Sequence, residues 1–178
     1  MWIVKGDEAM MDLVFGELTK DGDDYYSVWR GKKALDFGGT LYAIDLEIEP
    51  DNGEGGITEK QREAFQYFIE KWSELQSKLI ESLIVYYNEE ERFAWGPDDE
   101  KELAEWWPEI ETKEALLQAV TLETIVVPGD SVMDRDKGRY IYLLFSRTWG
   151  GEDYDDNGIG VGFLNEEIER IGYKDIAY

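Results

Sequence analysis

Apolar positions recur along this chain with two different periods, and the order of those periods predicts the architecture. Between residues 12 and 49 the pattern is that of strands. Leu13, Val14 and Phe15 form a first apolar run, Asp21, Gly22, Asp23 and Asp24 read as a turn, and Tyr25, Tyr26, Val28 and Trp29 follow. After the Gly38-Gly39 break, Leu41, Ile44, Leu46 and Ile48, with Tyr42 or Ala43 among them, alternate with Asp45, Glu47 and Glu49. A period of two marks a strand with one buried and one wet face.

The period then changes. Residues 50–56 (Pro-Asp-Asn-Gly-Glu-Gly-Gly) form a loop, and Thr58 with Gln61 three residues on fits a capping box that satisfies orphan backbone donors reciprocally. From there Phe65, Phe68, Ile69, Trp72, Leu75, Leu79, Leu83 and Tyr86 recur at spacings of three and four, with Glu63, Glu70, Lys71, Glu74, Lys78 and Glu81 at other positions. A helix of about 30 residues, some 45 Å long, is predicted. Residues 88–96 read as a charged break. Pro97 with Asp98, Asp99 and Glu100 then starts a short helix that stops near Trp107, because Pro108 disfavours helical geometry in the residue before it. Thr112 caps another short helix.

Strands return over residues 122–127, 139–145 and 158–164, separated by turn-rich stretches, and the tail from 168 to 178 adds a last short one. No repeat, linker or composition break divides the chain, so residues 1–178 read as a single α+β domain. Its expected form is an antiparallel sheet, built from N- and C-terminal strands, against one long central helix and shorter helices.

Composition narrows the chemistry. Among 178 residues, 41 acidic side chains face 18 basic ones, a formal charge of -23, and the excess is spread along the chain. Such a field repels nucleic acid and anionic membrane and steers cationic partners inward. The hydrophobic fraction of 43% and aromatic fraction of 14% are too high for a disordered acidic tail, so the chain is expected to fold. With no cysteine and no histidine, a thiol nucleophile, a zinc-thiolate site and an imidazole base are excluded. The first residues lack the basic flank and apolar stretch of a signal peptide, and no apolar run approaches the roughly 20 residues of a membrane span. A cytoplasmic location is the expectation.

Three patterns invite a ligand, and each has a plainer explanation. Asp153, Asp155 and Asn157, followed by Gly158, match the first half of a calcium loop, but Leu164 stands where the bidentate carboxylate is needed, so a hairpin loop explains them better. Gly158, Gly160 and Gly162 resemble a dinucleotide loop, yet Phe163 replaces the third glycine and no helix is predicted to follow; glycines in a strand more often mark close backbone approach. Glu102, Glu105 and Glu109 could share one helix face beside Trp106 and Trp107, the nearest approach to a carboxylate-only, glycosidase-like or magnesium-dependent site. A solvated face explains that pattern equally. No cofactor is expected.

Trp106 and Trp107 are adjacent and cannot both enter one core from a helix, so one should be partly exposed. Aromatic residues among acids make good anchors for a protein partner. The expected function is therefore protein binding without catalysis, through Trp106, Trp107, Asp98, Asp99, Glu100 and Glu102, to a basic protein surface. The alternatives are the carboxylate-only enzyme and a structural adaptor whose acidity only keeps it soluble.

The block Ile57 to Phe65, and the C-terminal Leu143-Leu144-Phe145, Trp149, Gly158-Ile159-Gly160-Val161, Ile171-Gly172 and Asp175-Ile176, carry a resemblance. Together they resemble a family of uncharacterised small acidic bacterial proteins of the kind found among immunity genes of polymorphic toxin systems. That resemblance implies an α+β fold and a protein-neutralising role, with a toxin domain as partner. It carries over no catalytic residue.

Overall fold

Alternation at the two ends of the chain does produce strands, eight of them, in a computed structural model that describes residues 8–22, 27–50, 56–129, 138–150 and 157–178. They are β1 (Ala9–Asp12), β2 (Gly16–Gly22), β3 (Ser27–Phe37), β4 (Thr40–Ile48), β5 (Val120–Val127), β6 (Tyr140–Arg147), β7 (Ile159–Leu164) and β8 (Glu167–Gly172). Their order in the sheet is their order in the chain. Neighbours are antiparallel except β4 and β5, which run parallel from Asp45 opposite Thr124 to Ile48 opposite Val127. The helices between those two strands return the chain to the end of the sheet where β4 began, so β5 sets out in the same direction. The architecture is α+β, with a mostly antiparallel sheet.

The first apolar run is a turn. Residues 13–15 connect β1 to β2, because the Asp12 carboxylate accepts from the amides of Val14 (2.8 Å) and Phe15 (3.1 Å) and Gly16 takes a φ of 87°. Burial raises the pKa of that carboxyl, but the Arg62 guanidinium and the two amides outweigh burial and hold it below its usual value. Asp21 and Gly22, expected in a turn, belong to β2, while Asp23, Asp24, Tyr25 and Tyr26 lie outside the described residues. On β4 the buried face is Ile44, Leu46 and Ile48, whereas Leu41 falls on the wet side with Asp45.

The long helix α1 spans Glu59–Val85 and opens on the capping box: Thr58 Oγ1 accepts from the Gln61 amide and Gln61 Oε1 from the Thr58 amide. Gln61 Nε2 also donates to the carbonyls of Glu49 (2.7 Å) and Pro128 (3.0 Å), which fastens the helix start to the ends of β4 and β5. A helix lying across a flat sheet would meet the strands in order. Here Arg62 pairs with Asp12 at β1, Phe68 packs on Phe163 of β7, and Trp72 donates to the Asp36 carbonyl of β3. That order of contacts requires the sheet to curl up on both sides of α1, and the main core fills the space between them.

The opposite face of the sheet has its own small core: Val126, Tyr142 and Leu144, covered by Ala177 of a terminal 3₁₀ turn, Lys174–Ala177. Lys174 Nζ holds that turn by an ion pair with Glu123 at 2.6 Å. The glycine series of β7 belongs to this contact. A Cβ on Gly160 would stand 2.6 Å from the Tyr173 carbonyl oxygen and 2.8 Å from Ile176, and one on Gly162 would stand 2.9 Å from the Tyr142 ring. Gly160→Ala is accordingly expected to cost about 1 to 3 kcal/mol by overpacking. Urea unfolding measures it, and a change within about 0.5 kcal/mol would show that the terminal turn yields.

Candidate functional site

The helix does not break after Val85. It passes into a π-helical segment, Tyr86–Glu91, and ends as α2, Arg92–Trp95, before Gly96. The stretch expected to be a charged break is thus helical, because the wider turn keeps Tyr87 and Glu91, four and eight residues after Leu83, on the buried face. Asn88, a polar residue at the start of that stretch, is used locally: its Nδ2 donates to the carbonyls of Ile84 (3.1 Å) and Ile110 (2.7 Å). The buried tyrosine is Tyr87 and not Tyr86, which sits half-buried at the surface.

Beneath the π segment lies a polar cluster inside the core. The side chains of Glu91 and Arg147 are both buried, with Arg147 Nη2 at 3.2 Å from Glu91 Oε1 and Nη1 donating to the Trp149 carbonyl at 2.9 Å. Three aromatic rings wall it. Trp107 and Trp149 lie 5.7 and 5.4 Å from the guanidinium, and Tyr87 packs on Trp149 with centroids 4.4 Å apart. Both Glu91 oxygens, Arg147 Nε and Nη2, and Trp149 Nε1 lack a well-aligned hydrogen bond among the described residues. Burial pushes the Glu91 carboxyl above its ordinary pKa, and the adjacent Arg147 charge limits that rise. Burial likewise pushes up the Tyr87 phenol, whose hydroxyl donates to the Pro108 carbonyl at 2.7 Å.

This cluster anchors an exposed arm. After Gly96, Asp99 caps α3 (Glu100–Trp106) by accepting from the amides of Lys101 and Glu102, each at 3.0 Å. Neither α2 nor α3 contains a buried residue. The arm is held at its base: the Trp106 carbonyl accepts from the Gly150 amide (2.8 Å), and Arg92 Nε donates to the Trp107 carbonyl (2.8 Å). Exposure of the two adjacent tryptophans is 46% for Trp106 and 3% for Trp107. Trp107 therefore belongs to the anchor and is withdrawn from any surface. Two aromatic residues that sequence patterns did not single out, Phe93 (87% exposed) and Trp95 (59%), stand out on α2 instead.

Residues 89–111 hold ten acidic and two basic side chains, a net charge of -8 out of the chain's -23. Roughly a third of the excess thus resides in 23 residues, which sharpens an acidity that looked evenly spread at coarser division. Asp98, Asp99, Glu100 and Glu102 are all exposed there. The shared helix face of Glu102, Glu105 and Glu109 does not form: α3 ends at Trp106, and Glu109 lies past Pro108, 3.5 Å from Arg92.

Asp153 and Asp155 lie outside the described residues, and Asn157 is exposed. Among the described residues no group of three or more acidic side chains is arranged to hold a metal ion. No helix there is long and apolar enough to cross a membrane.

Comparison with known proteins adds the family. The family model described as "Domain of unknown function (DUF6985)" matches residues 14–178, a span that includes the anchor and the arm. No curated protein and no solved structure matches the chain.

Proposed function

Because a chain matched over residues 14–178 belongs to that DUF6985 family, whose description assigns no activity, its role must be read from the fold, and we propose that it is a protein-binding module. In this reading the arm docks on a basic surface of another protein. The observation that carries it is the exposure of Phe93, Trp95 and Trp106 on a segment of net charge -8. Large exposed rings gain most by burial against a partner, while the surrounding acids set orientation and accelerate encounter. The resemblance to immunity proteins makes a toxin domain the partner and neutralisation the outcome. The carboxylate-only enzyme has less to support it, since Glu109 is parted from Glu102 and Glu105 and pairs with Arg92.

The test is kinetic. With a partner isolated from the native host and purified, the association rate is expected to fall several-fold between about 0.02 and 0.2 M salt, as the screening length shortens from roughly 20 Å to below 10 Å. Neutralising Asp98, Glu100 and Glu102 should slow association, and Trp95→Ala or Trp106→Ala should speed dissociation about tenfold or more. Salt-independent association, or dissociation rates indifferent to both tryptophans, would remove the arm from the interface. Turnover of a sugar or phosphoester, abolished by Glu102→Gln, would replace binding with catalysis.

A further inference from the structure

An open groove of about 630 Å³ runs beside the arm, between the end of α1 with the π segment and strand β8. Its helix side presents Glu81, Val85, Tyr86 and Glu90, and its strand side Ile168 and Ile171. Val85 is half exposed and Ile168 and Ile171 are only partly buried, so apolar side chains lie open to solvent among the polar ones. β8 is the last strand of the sheet: one edge is paired to β7, and among the described residues no strand pairs with the other. A free edge offers a row of backbone donors and acceptors, ready for an added strand.

Charge selects the occupant. Three carboxylates, Glu81, Glu90 and Glu169, line the groove with one base, Arg170, and the Arg170 guanidinium is engaged on the other face of the sheet, donating to the Ile176 carbonyl at 2.6 Å and the Tyr142 hydroxyl at 3.3 Å. A second copy of this chain would bring a further charge of -23 against the same carboxylates, which disfavours edge-to-edge pairing of two copies.

The geometry points to strand addition: an extended segment of the partner, with basic and apolar residues taking turns at every second position, pairs with β8. On the side turned to the helix its apolar side chains rest on Val85, Ile168 and Ile171, and its basic ones meet Glu81 and Glu90. This inference rests on the reading above that the partner is a basic protein, and it assigns a second contact beyond the arm. β8 is six residues long, so the paired segment spans about 20 Å.

The probe is a synthetic peptide about seven residues long to cover β8, with valine and lysine taking turns at the odd positions and threonine at the even ones, labelled for fluorescence anisotropy. It is expected to bind, to slow amide exchange along β8 about tenfold or more, and to lose affinity about tenfold against the exposed-site variants Glu81→Lys and Glu90→Lys. The same peptide N-methylated at alternate residues should not bind, since it cannot complete the ladder. Absence of binding, unchanged β8 exchange in the bound state, or equal affinity for the charge-reversed variants would each overturn the inference. So would β8 protection that grows with protein concentration alone, which would make the occupant a second copy. Trp95→Ala and Trp106→Ala should leave peptide binding unchanged. An arm that proves irrelevant to the natural partner therefore fails separately from the groove.

Discussion

Trp72→Ala should cost roughly 3 to 5 kcal/mol, a large share of the stability of a chain this size. The indole packs on Phe68 and Phe37, with centroids 5.5 and 6.1 Å away, and its Nε1 donates to the Asp36 carbonyl at 2.6 Å. Removal therefore opens a cavity where α1 meets the end of β3 and also deprives a backbone carbonyl of its donor, two losses that add. The comparison comes from the same helix. Glu70→Ala, on the exposed face, should cost no more than about 0.5 kcal/mol. Urea unfolding of the two variants separates them, and equal losses would mean that α1 does not present Trp72 to the core.

The long helix was legible because its signals are local and agree: a capping box at Thr58 and Gln61, then apolar residues at spacings of three and four. The strand pattern of β4 was legible for the same reason, down to the alternation of Ile44, Leu46 and Ile48. What local signals could not convey was the turn at residues 13–15, where one carboxylate overrides an apolar run, and the parallel pairing of β4 with β5, which depends on where the intervening helices bring the chain. Gly160 and Gly162 were legible as glycines in a strand, but the neighbours that require them are distant in the chain, the terminal segment with Tyr173 and Ile176 for Gly160 and the Tyr142 ring of β6 for Gly162.

The functional region was half legible. The acids at 98–102 and the exposed Trp106 stood out because composition alone marks them. Glu91 and Arg147 did not, since charged residues are read as surface by default. Periodicity carried the missing signal. Arg147 continues the inward series Ile141, Leu143 and Phe145 on β6, and Glu91 continues Leu83 and Tyr87 at intervals of four. A charge in phase with a buried stripe on each of two elements is the pattern by which such a pair can be found. The π segment that brings Glu91 inward has no sequence mark of its own beyond that phase.

Arg147→Met is expected to cost about 3 to 5 kcal/mol at neutral pH, because it leaves Glu91 buried without a counter-charge. The loss should depend on pH in a stated direction. Burial already places the folded-state pKa of Glu91 above its unfolded value, and removing Arg147 raises it further. Between the unfolded pKa and that raised value the native state binds more protons than the unfolded state, so stability falls as pH rises through the window. The variant should thus recover ground toward wild type as pH drops from about 7 to about 5. Glu91→Gln in the Arg147→Met background should restore much of the loss at pH 7 and flatten the pH dependence, giving a coupling energy of about 2 kcal/mol or more. Because Trp107 and the Trp106 carbonyl hang on this cluster, the single variant should also free the arm, seen as faster amide exchange over α3 at a pH where the fold persists. A loss below about 1 kcal/mol that did not vary with pH would show that Glu91 and Arg147 are not coupled in the folded protein.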